Sequence, residues 1–219
     1  MTELDTAGAG VAGDPGEGGA ARDQLAFRDE RSRDAIVDAM LGLYHRGVPD
    51  PTALQIADQA GVTLRAVHFH FADLESLALE AVRRQRSQIE PLLLEPAATG
   101  ALDERIADVV NRRCELFEIV TPVRRAALLI RHRSPTIEEN LAFLAKVLRE
   151  QLAGTFGAEL DACADPSASA VLLDALDVAT SWEAWERLRT SQSLTRDRAR
   201  AVLTRTLVGL LAPGPGRAG

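Results

Sequence analysis

The chain has 219 residues, of which 46% are hydrophobic, 26% charged and 4% aromatic, and its formal net charge is −7. This composition is typical of a folded protein of one or two domains, and the excess of acids disfavours proteins that coat nucleic acid regardless of sequence, because those are strongly basic. Alanine (36 residues) and leucine (30 residues) dominate, whereas residues that favour strands are sparse. We therefore expect an all-α fold of about nine helices.

The sequence indicates no metal site, no cofactor and no disulfide framework, because Cys114 and Cys163 are far apart and neither belongs to a CxxC pair. A GxGxxG pattern at 8–13 lacks the preceding strand and the following helix that dinucleotide binding requires. The chain also lacks an apolar run of membrane-spanning length and a signal peptide. These features predict a cytoplasmic protein.

Glycine or proline is abundant at both ends, so we expect disordered tails at 1–19 and 213–219. Between the tails, prolines and glycines divide the chain into segments of helical length. The predicted helices cover 29–45, 52–59, 63–70, 73–90, 103–120, 122–133, 135–156, 167–190 and 196–211.

The two short predicted helices, 52–59 and 63–70, have the pattern of a helix-turn-helix. Ala57 is small where the helices would cross, and Gly61 can adopt the left-handed turn conformation. The shared apolar contact would be formed by Ile56, Val62 and Val67. Side chains that can cap a helix precede each start in this region, namely Thr52, Thr63 and Asp73. The same pattern also occurs where two helices simply pack against each other across a turn, in proteins that do not bind DNA.

The surroundings of this motif distinguish between these readings. The helix before it, the residues Phe71, Asp73 and Leu77 after it, and the long helical remainder together resemble the TetR family of bacterial transcriptional regulators. The resemblance is specific over 31–79 and architectural beyond. It implies a DNA-binding head at 20–72, a linker helix at 73–94 and a ligand-binding and dimerisation body at 95–212.

The resemblance also implies a function. Such proteins are homodimers that bind a palindromic double-stranded DNA operator, and a small-molecule effector shifts the spacing of the two heads and releases the DNA. We therefore expect a repressor of this kind. The alternative is an all-helical enzyme or small-molecule-binding protein without tight DNA binding, although the sequence contains no recognisable catalytic motif.

The candidate DNA contacts carried over from the family are Arg31, Arg33, Thr52, Thr63, Leu64, Arg65, Ala66, His68, Phe69 and His70. Arg65 is the strongest base-reading candidate, because a guanidinium can donate two hydrogen bonds to guanine. His68 and His70 can donate to phosphates, and Arg31 and Arg33 either do the same or belong to a solvated charged face. Leu74 occupies the position where the family usually has a phosphate-contacting lysine, so one positive contact is missing.

The predicted body contains one arginine on an apolar helix face, Arg113. This guanidinium either pairs internally, with Asp177 as the natural partner, reaches the surface, or meets the anion of a ligand. The candidate ligand-binding residues are Arg113, Phe117, Phe143, Asp177 and Trp182. The effector would be mainly apolar, with an acidic group if Arg113 faces it.

The segment 167–190 is apolar almost all round, which favours a dimer interface formed with 196–211. The candidate interface residues are Trp185, Leu188, Val202, Leu203 and Leu210; alternatively, the tryptophans line a pocket. The runs Arg124-Arg125 and 131–133 have the pattern of a solvated face.

Overall fold

The computed structural model describes residues 15–94 and 99–212, with side chains from residue 27 onward. These residues form an all-α fold, as the composition predicts, with ten α-helices and a π-helical turn at Arg187–Ser191. The helices are α1 (Pro15–His45), α2 (Ala53–Ala60), α3 (Leu64–His70), α4 (Leu74–Leu94), α5 (Leu102–Ile130), α6 (Pro135–Thr155), α7 (Gly157–Asp161), α8 (Pro166–Ala179), α9 (Trp182–Glu186) and α10 (Arg196–Leu211). The GxGxxG pattern and the predicted tails at 1–14 and 213–219 lie outside the described residues.

Helix α1 begins earlier than the sequence pattern predicts. It starts at Pro15 instead of near residue 29, so residues 15–19, which we expected in the tail, are helical. Proline is well tolerated at the first helical position, because its missing N–H would have no partner there. Good helix formers follow at 20–26 and extend the helix to the predicted start.

Helix α5 is continuous through Pro122, and the predicted break at 121–122 is wrong. The side-chain hydroxyl of Thr121 donates a hydrogen bond to the Phe117 carbonyl at 2.5 Å, and Val120 and Val123 are buried on either side of the proline. Burial of this face outweighs the backbone hydrogen bond that the proline removes.

The predicted helix at 167–190 is divided in the structure. Helix α8 ends before Thr180, whose hydroxyl donates to the Leu176 carbonyl at 2.8 Å. Ser181 then caps α9 by accepting a hydrogen bond from the Ala184 N–H at 3.1 Å. Threonine and serine side chains compete with the backbone in this way, so the adjacent pair was the signal for the break.

Two hydrophobic cores lie along the molecule. The head core contains Ile36, Ile56, Val67, Phe71 and Leu77, together with Val123 and Ala126 from the C-terminal part of α5. The body core contains Ile89, Phe117, Leu152, Phe156, Leu176, Trp185 and Leu207. Because α4 and α5 contribute to both cores, they connect the head to the body. Within the described residues, none of the helices is long and apolar enough to span a bilayer.

Candidate nucleic-acid interface and ligand cavity

The turn between α2 and α3 has the geometry predicted for a helix-turn-helix. Gly61 adopts the left-handed conformation at φ 67° and ψ 31°, and its N–H donates to the Ala57 carbonyl. Ala57 is 1% exposed, and Ile56 and Val67 are buried around it. A side chain at position 57 larger than a methyl group would separate the two helices, so the small residue fixes their crossing.

All three predicted helix caps are present. Thr52 and Gln55 form a capping box, in which the Gln55 N–H donates to the Thr52 hydroxyl at 3.3 Å and the Thr52 N–H donates to the Gln55 side chain at 2.8 Å. The Thr63 hydroxyl accepts from the Ala66 N–H at 3.2 Å, and the Asp73 carboxylate accepts from the Ser76 N–H at 2.7 Å. The latter bond lowers the pKa of Asp73.

Helix α3 presents a surface of exposed side chains to solvent, and this surface carries no acidic residue between 61 and 72. Of the candidate DNA contacts, the exposed ones are Arg31, Thr52, Thr63, Leu64, Arg65, His68 and Phe69, while Ala66 and His70 are half-buried. Phe69 is 74% exposed and packs edge-on against the His70 ring. An apolar aromatic side chain that is this exposed on a short helix is a candidate contact for a partner.

Leu74 is half-buried against the head core and lines a groove between head and body with Met40 and Tyr44. An aliphatic side chain at this position therefore contributes to packing where the family usually has a lysine.

A narrow cavity of about 560 Å³, counting the space open to solvent at its mouth, lies between α4, α5 and α6. Its apolar lining includes Val82, Ile89, Leu93, Val120, Val123, Ala127, Ile137, Leu141, Phe143 and Leu144, and its polar lining consists of Gln85, Arg86, Arg124 and Asn140. The cavity shares Val123 with the head core. A molecule bound here would contact the same helices that reach the head.

Comparison with known proteins finds the same architecture. A curated relative, the HTH-type transcriptional regulator TtgR of Pseudomonas putida, is 29% identical over 161 residues, which cover 62% of this chain and 75% of TtgR. A TetR-family transcriptional regulator from Streptomyces coelicolor has a TM-score of 0.62 at 20% identity, covering 83% of this chain and 80% of that one. No family model matches the chain. The chain is similar in sequence to TtgR and shares the fold of TetR-family transcriptional regulators.

A third similar structure is the multidrug binding protein EbrR in complex with imidazole, with a TM-score of 0.51 at 22% identity, covering 85% of this chain and 98% of EbrR. EbrR has also been solved with ethidium, and that structure has a TM-score of 0.50 at 23% identity, covering 80% of this chain and 98% of EbrR. These likenesses show that the chain shares its fold with EbrR.

Arg33, one of the predicted DNA contacts, forms an ion pair within the chain. Its guanidinium donates to the Glu80 carboxylate of α4 at 2.9 Å and lies 5.0 Å from the centre of the Phe71 ring. The hydrogen bond from Arg33 lowers the pKa of Glu80. Arg33 therefore ties α1 to α4. The ion pair between Arg33 and Glu80 was not predicted, because local sequence does not show which residues of distant helices come together.

The predicted pair between Arg113 and Asp177 is wrong. Arg113 is 4% exposed and donates to the Leu148 carbonyl at 2.6 Å and to the Gln151 side chain at 3.0 Å. Burial lowers its pKa to about 10, against the opposing effect of the nearby Asp177 charge. Asp177 instead pairs with Arg149 at 3.4 Å.

Most of the candidate ligand-binding residues do not line the cavity. Phe143 does, at its mouth, whereas Phe117 is fully buried in the body core and Trp182 is buried beside the cavity. Arg113 and Asp177 are absent from the cavity lining. Arg124, which the sequence assigned to a solvated face, lies in the lining instead.

Three of the five predicted interface residues belong to the body core, because Trp185, Leu188 and Leu203 are buried within one chain. Val202 and Leu210 are partly buried against the same core. The large apolar side chains that remain exposed on these helices are Val171 and Val178 of α8, at 64% and 70%, and Val208 of α10, at 42%. The overall hydrophobicity of these two helices did not separate their inward residues from their outward ones.

Proposed function

We propose that the chain acts as a homodimeric repressor that binds a palindromic double-stranded DNA operator in the cytoplasm and dissociates when a small molecule enters its body. The head would comprise 20–72, the linker helix 73–94 and the body 95–212. The observation that carries this proposal is the capped helix-turn-helix whose second helix presents exposed, acid-free side chains.

The residues of α3 divide into two proposed roles. Thr63, Leu64, Arg65 and Ala66 form the start of the helix that enters the major groove, with Arg65 as the base-reading side chain. His68 and His70 would contact phosphates, with Phe69 packed beside them. Thr52 and Arg31 would contact the backbone from α2 and α1. Arg33 is left out of this surface because it is bound to Glu80.

The cavity supports the ligand-responsive part of the proposal. EbrR is described as a multidrug binding protein and has been solved with two small molecules. The cavity of this chain is narrow and would have to widen to admit a small ligand, and its walls belong to α4 and α5, which also pack in the head. A ligand that changes the position of either helix would change the position of the head.

A footprint on the DNA upstream of the protein's own coding region tests the proposal. We expect protection of two half-sites spaced by about one helical turn, at low salt and more weakly at high salt. A DNA fragment of equal length and scrambled sequence is the matched control. Absence of protection at low salt would contradict the regulator proposal and favour a small-molecule-binding protein or enzyme of the same architecture.

A further inference from the structure

The polar groups of the cavity all lack negative charge. Its lining in the described residues contains two arginines and two amides and no carboxylate. The remaining lining is aliphatic apart from Phe143. A cavity with this composition offers positive potential at its polar positions and an apolar surface elsewhere.

Arg86 lies at the mouth of the cavity and is held without a carboxylate. Its guanidinium is 4.1 Å from the centre of the Phe143 ring and donates to the Asn140 side chain at 3.3 Å. The neighbouring α4 arginines differ, because Arg83 pairs with Glu80 and Arg84 pairs with Asp34 and Asp38. Among the residues with described side chains, Arg86 forms no ion pair. Phe143 and Asn140 hold its guanidinium in place, but no carboxylate neutralises its charge.

Arg124 provides a second cation, and one of its donors is unused. It donates from Nη2 to the Glu183 carboxylate at 3.1 Å and stacks 4.9 Å from the centre of the Trp182 ring. Its Nε–H is buried and has no hydrogen-bond partner in the described structure. A buried donor without a partner costs free energy, so this arginine of the cavity lining keeps unused hydrogen-bonding capacity.

The inner part of the cavity is mainly apolar, with the Gln85 amide as a buried polar group. Ile89, Val120, Val123 and Ile137 are at most 5% exposed, while Arg86 and Phe143 are exposed at the mouth. The two regions match the two halves of an amphiphile, with its apolar part inside and its polar group beside the arginines.

We propose that this cavity selects amphipathic anions, that is, molecules with one apolar chain or ring and one carboxylate, over neutral and cationic molecules of the same apolar size. This inference rests on the proposed function, because it names the chemical class of the effector. A cation in the same position would meet the unpaired charge of Arg86 in a partly dry site and would be disfavoured. We expected an acidic group on the effector if Arg113 faced it. The cavity instead places that group beside Arg86 and Arg124.

Calorimetric titration of the full chain, without DNA, tests the selectivity. The probes are decanoate, decan-1-ol and decyltrimethylammonium, which share their alkyl chain and differ in charge, with ethidium as a planar cation. We expect decanoate to bind at least about tenfold more tightly than any of the others. Equal binding of the three alkyl probes, tighter binding of a cation, or no binding of decanoate overturns the proposal.

Two variants locate the binding site. Arg86→Gln removes an exposed charge together with its stacking on Phe143, so we expect decanoate affinity to fall about tenfold while decan-1-ol affinity changes much less. Arg83→Gln, on the same helix but outside the cavity, is the matched control and should have no effect. Equal loss in both variants, or no loss in Arg86→Gln, would show that the anion binds elsewhere.

The titration and the footprint test separate proposals, so a negative result in one does not contradict the other. If decanoate binds through Arg86 but no operator is protected, the regulator proposal is wrong and the anion site stands. If the operator is protected and decanoate does not bind, the assignment of the effector class is wrong and the regulator proposal stands.

Discussion

Arg65 and Arg31 are both exposed arginines of the head, but their positions predict different kinds of DNA contact. Arg65 lies in the first turn of α3, and Arg31 lies in α1. We expect Arg65→Ala to cost about 1–3 kcal/mol of operator binding and to relax the preference at one base pair. Arg31→Ala should weaken all sequences alike and reduce the salt slope of the binding constant by about 0.9.

Fluorescence anisotropy with operator variants at several salt concentrations measures both effects. Arg33→Ala serves as a comparison, because its guanidinium is already bound to Glu80 and should contribute little to the salt slope. A uniform loss across all sequences for Arg65→Ala would identify Arg65 as a phosphate contact.

Tyr44, the sole tyrosine, predicts a loss of stability at alkaline pH. Burial, and secondarily the charge of Asp50, raises its pKa well above the usual value of about 10. Above pH 10 the unfolded chain loses this proton while the folded chain keeps it, so the unfolded state binds fewer protons and stability falls as pH rises. We expect Tyr44→Phe to remove about 1.4 kcal/mol of this loss per pH unit.

Denaturant unfolding of both proteins at several pH values above 10 measures the difference. Phenolate absorbance offers a direct check, because the signal of Tyr44 should appear together with unfolding and not before it. Phenolate formation in the folded protein near pH 10 would contradict the prediction.

At this scale, the sequence predicted side chains that act on their own backbone and missed those that act across the molecule. Thr52, Thr63 and Asp73 cap helices within three residues, so local spacing was sufficient. The partners of Arg33 and Arg113 come from other helices, 35 to 47 positions away. Their identity depends on how the helices pack, which local periodicity does not contain.

The turn between α2 and α3 sets a backbone requirement that can be tested at the scale of the element. A Cβ at Gly61 would meet no atom within 4 Å, so the cost of Gly61→Ala comes only from its positive φ. We expect this change to destabilise the protein by about 1–2 kcal/mol. Gly154→Ala, in α6 and equally free of neighbours, is the matched control and should stabilise it by up to about 1 kcal/mol. Urea unfolding of both variants gives the comparison, and equal effects would show that the turn tolerates a side chain.

The elements differ in how well local signals predicted them. Helix α10 was predicted at its observed bounds, since Thr195 caps its start and the apolar spacing is regular. The break predicted at Pro122 did not occur, because burial of both flanking turns of α5 outweighs the preference of a single proline. Tertiary packing decides whether a proline ends a helix, and the local sequence pattern alone does not show this.

At the scale of the whole molecule, the exposed valines predict where two copies meet. Val171 and Val178 are seven residues apart, so they lie on one face of α8, and α8 packs against α10, which carries Val208. In a two-fold dimer each substitution occurs twice at the interface. We expect Val178→Glu to raise the dimer dissociation constant by at least about 100-fold.

Sedimentation equilibrium measures this constant, with Leu129→Glu as the control at an exposed apolar position of α5. The control should remain dimeric. A wild-type chain that is monomeric at all concentrations, or a dimer unaffected by Val178→Glu, would rule out this face.

Three consecutive residues of α4 contact three different parts of the molecule. Arg84 donates to Asp38 of α1 at 2.6 Å, Gln85 donates to the Ile119 carbonyl of α5 at 3.1 Å, and Arg86 lies at the cavity mouth. Because successive helical residues differ by about 100° in direction, inserting or deleting one residue between 84 and 86 would rotate the head contacts against the cavity contacts by that angle. The length of this helix is therefore under stricter constraint than the identity of most of its side chains.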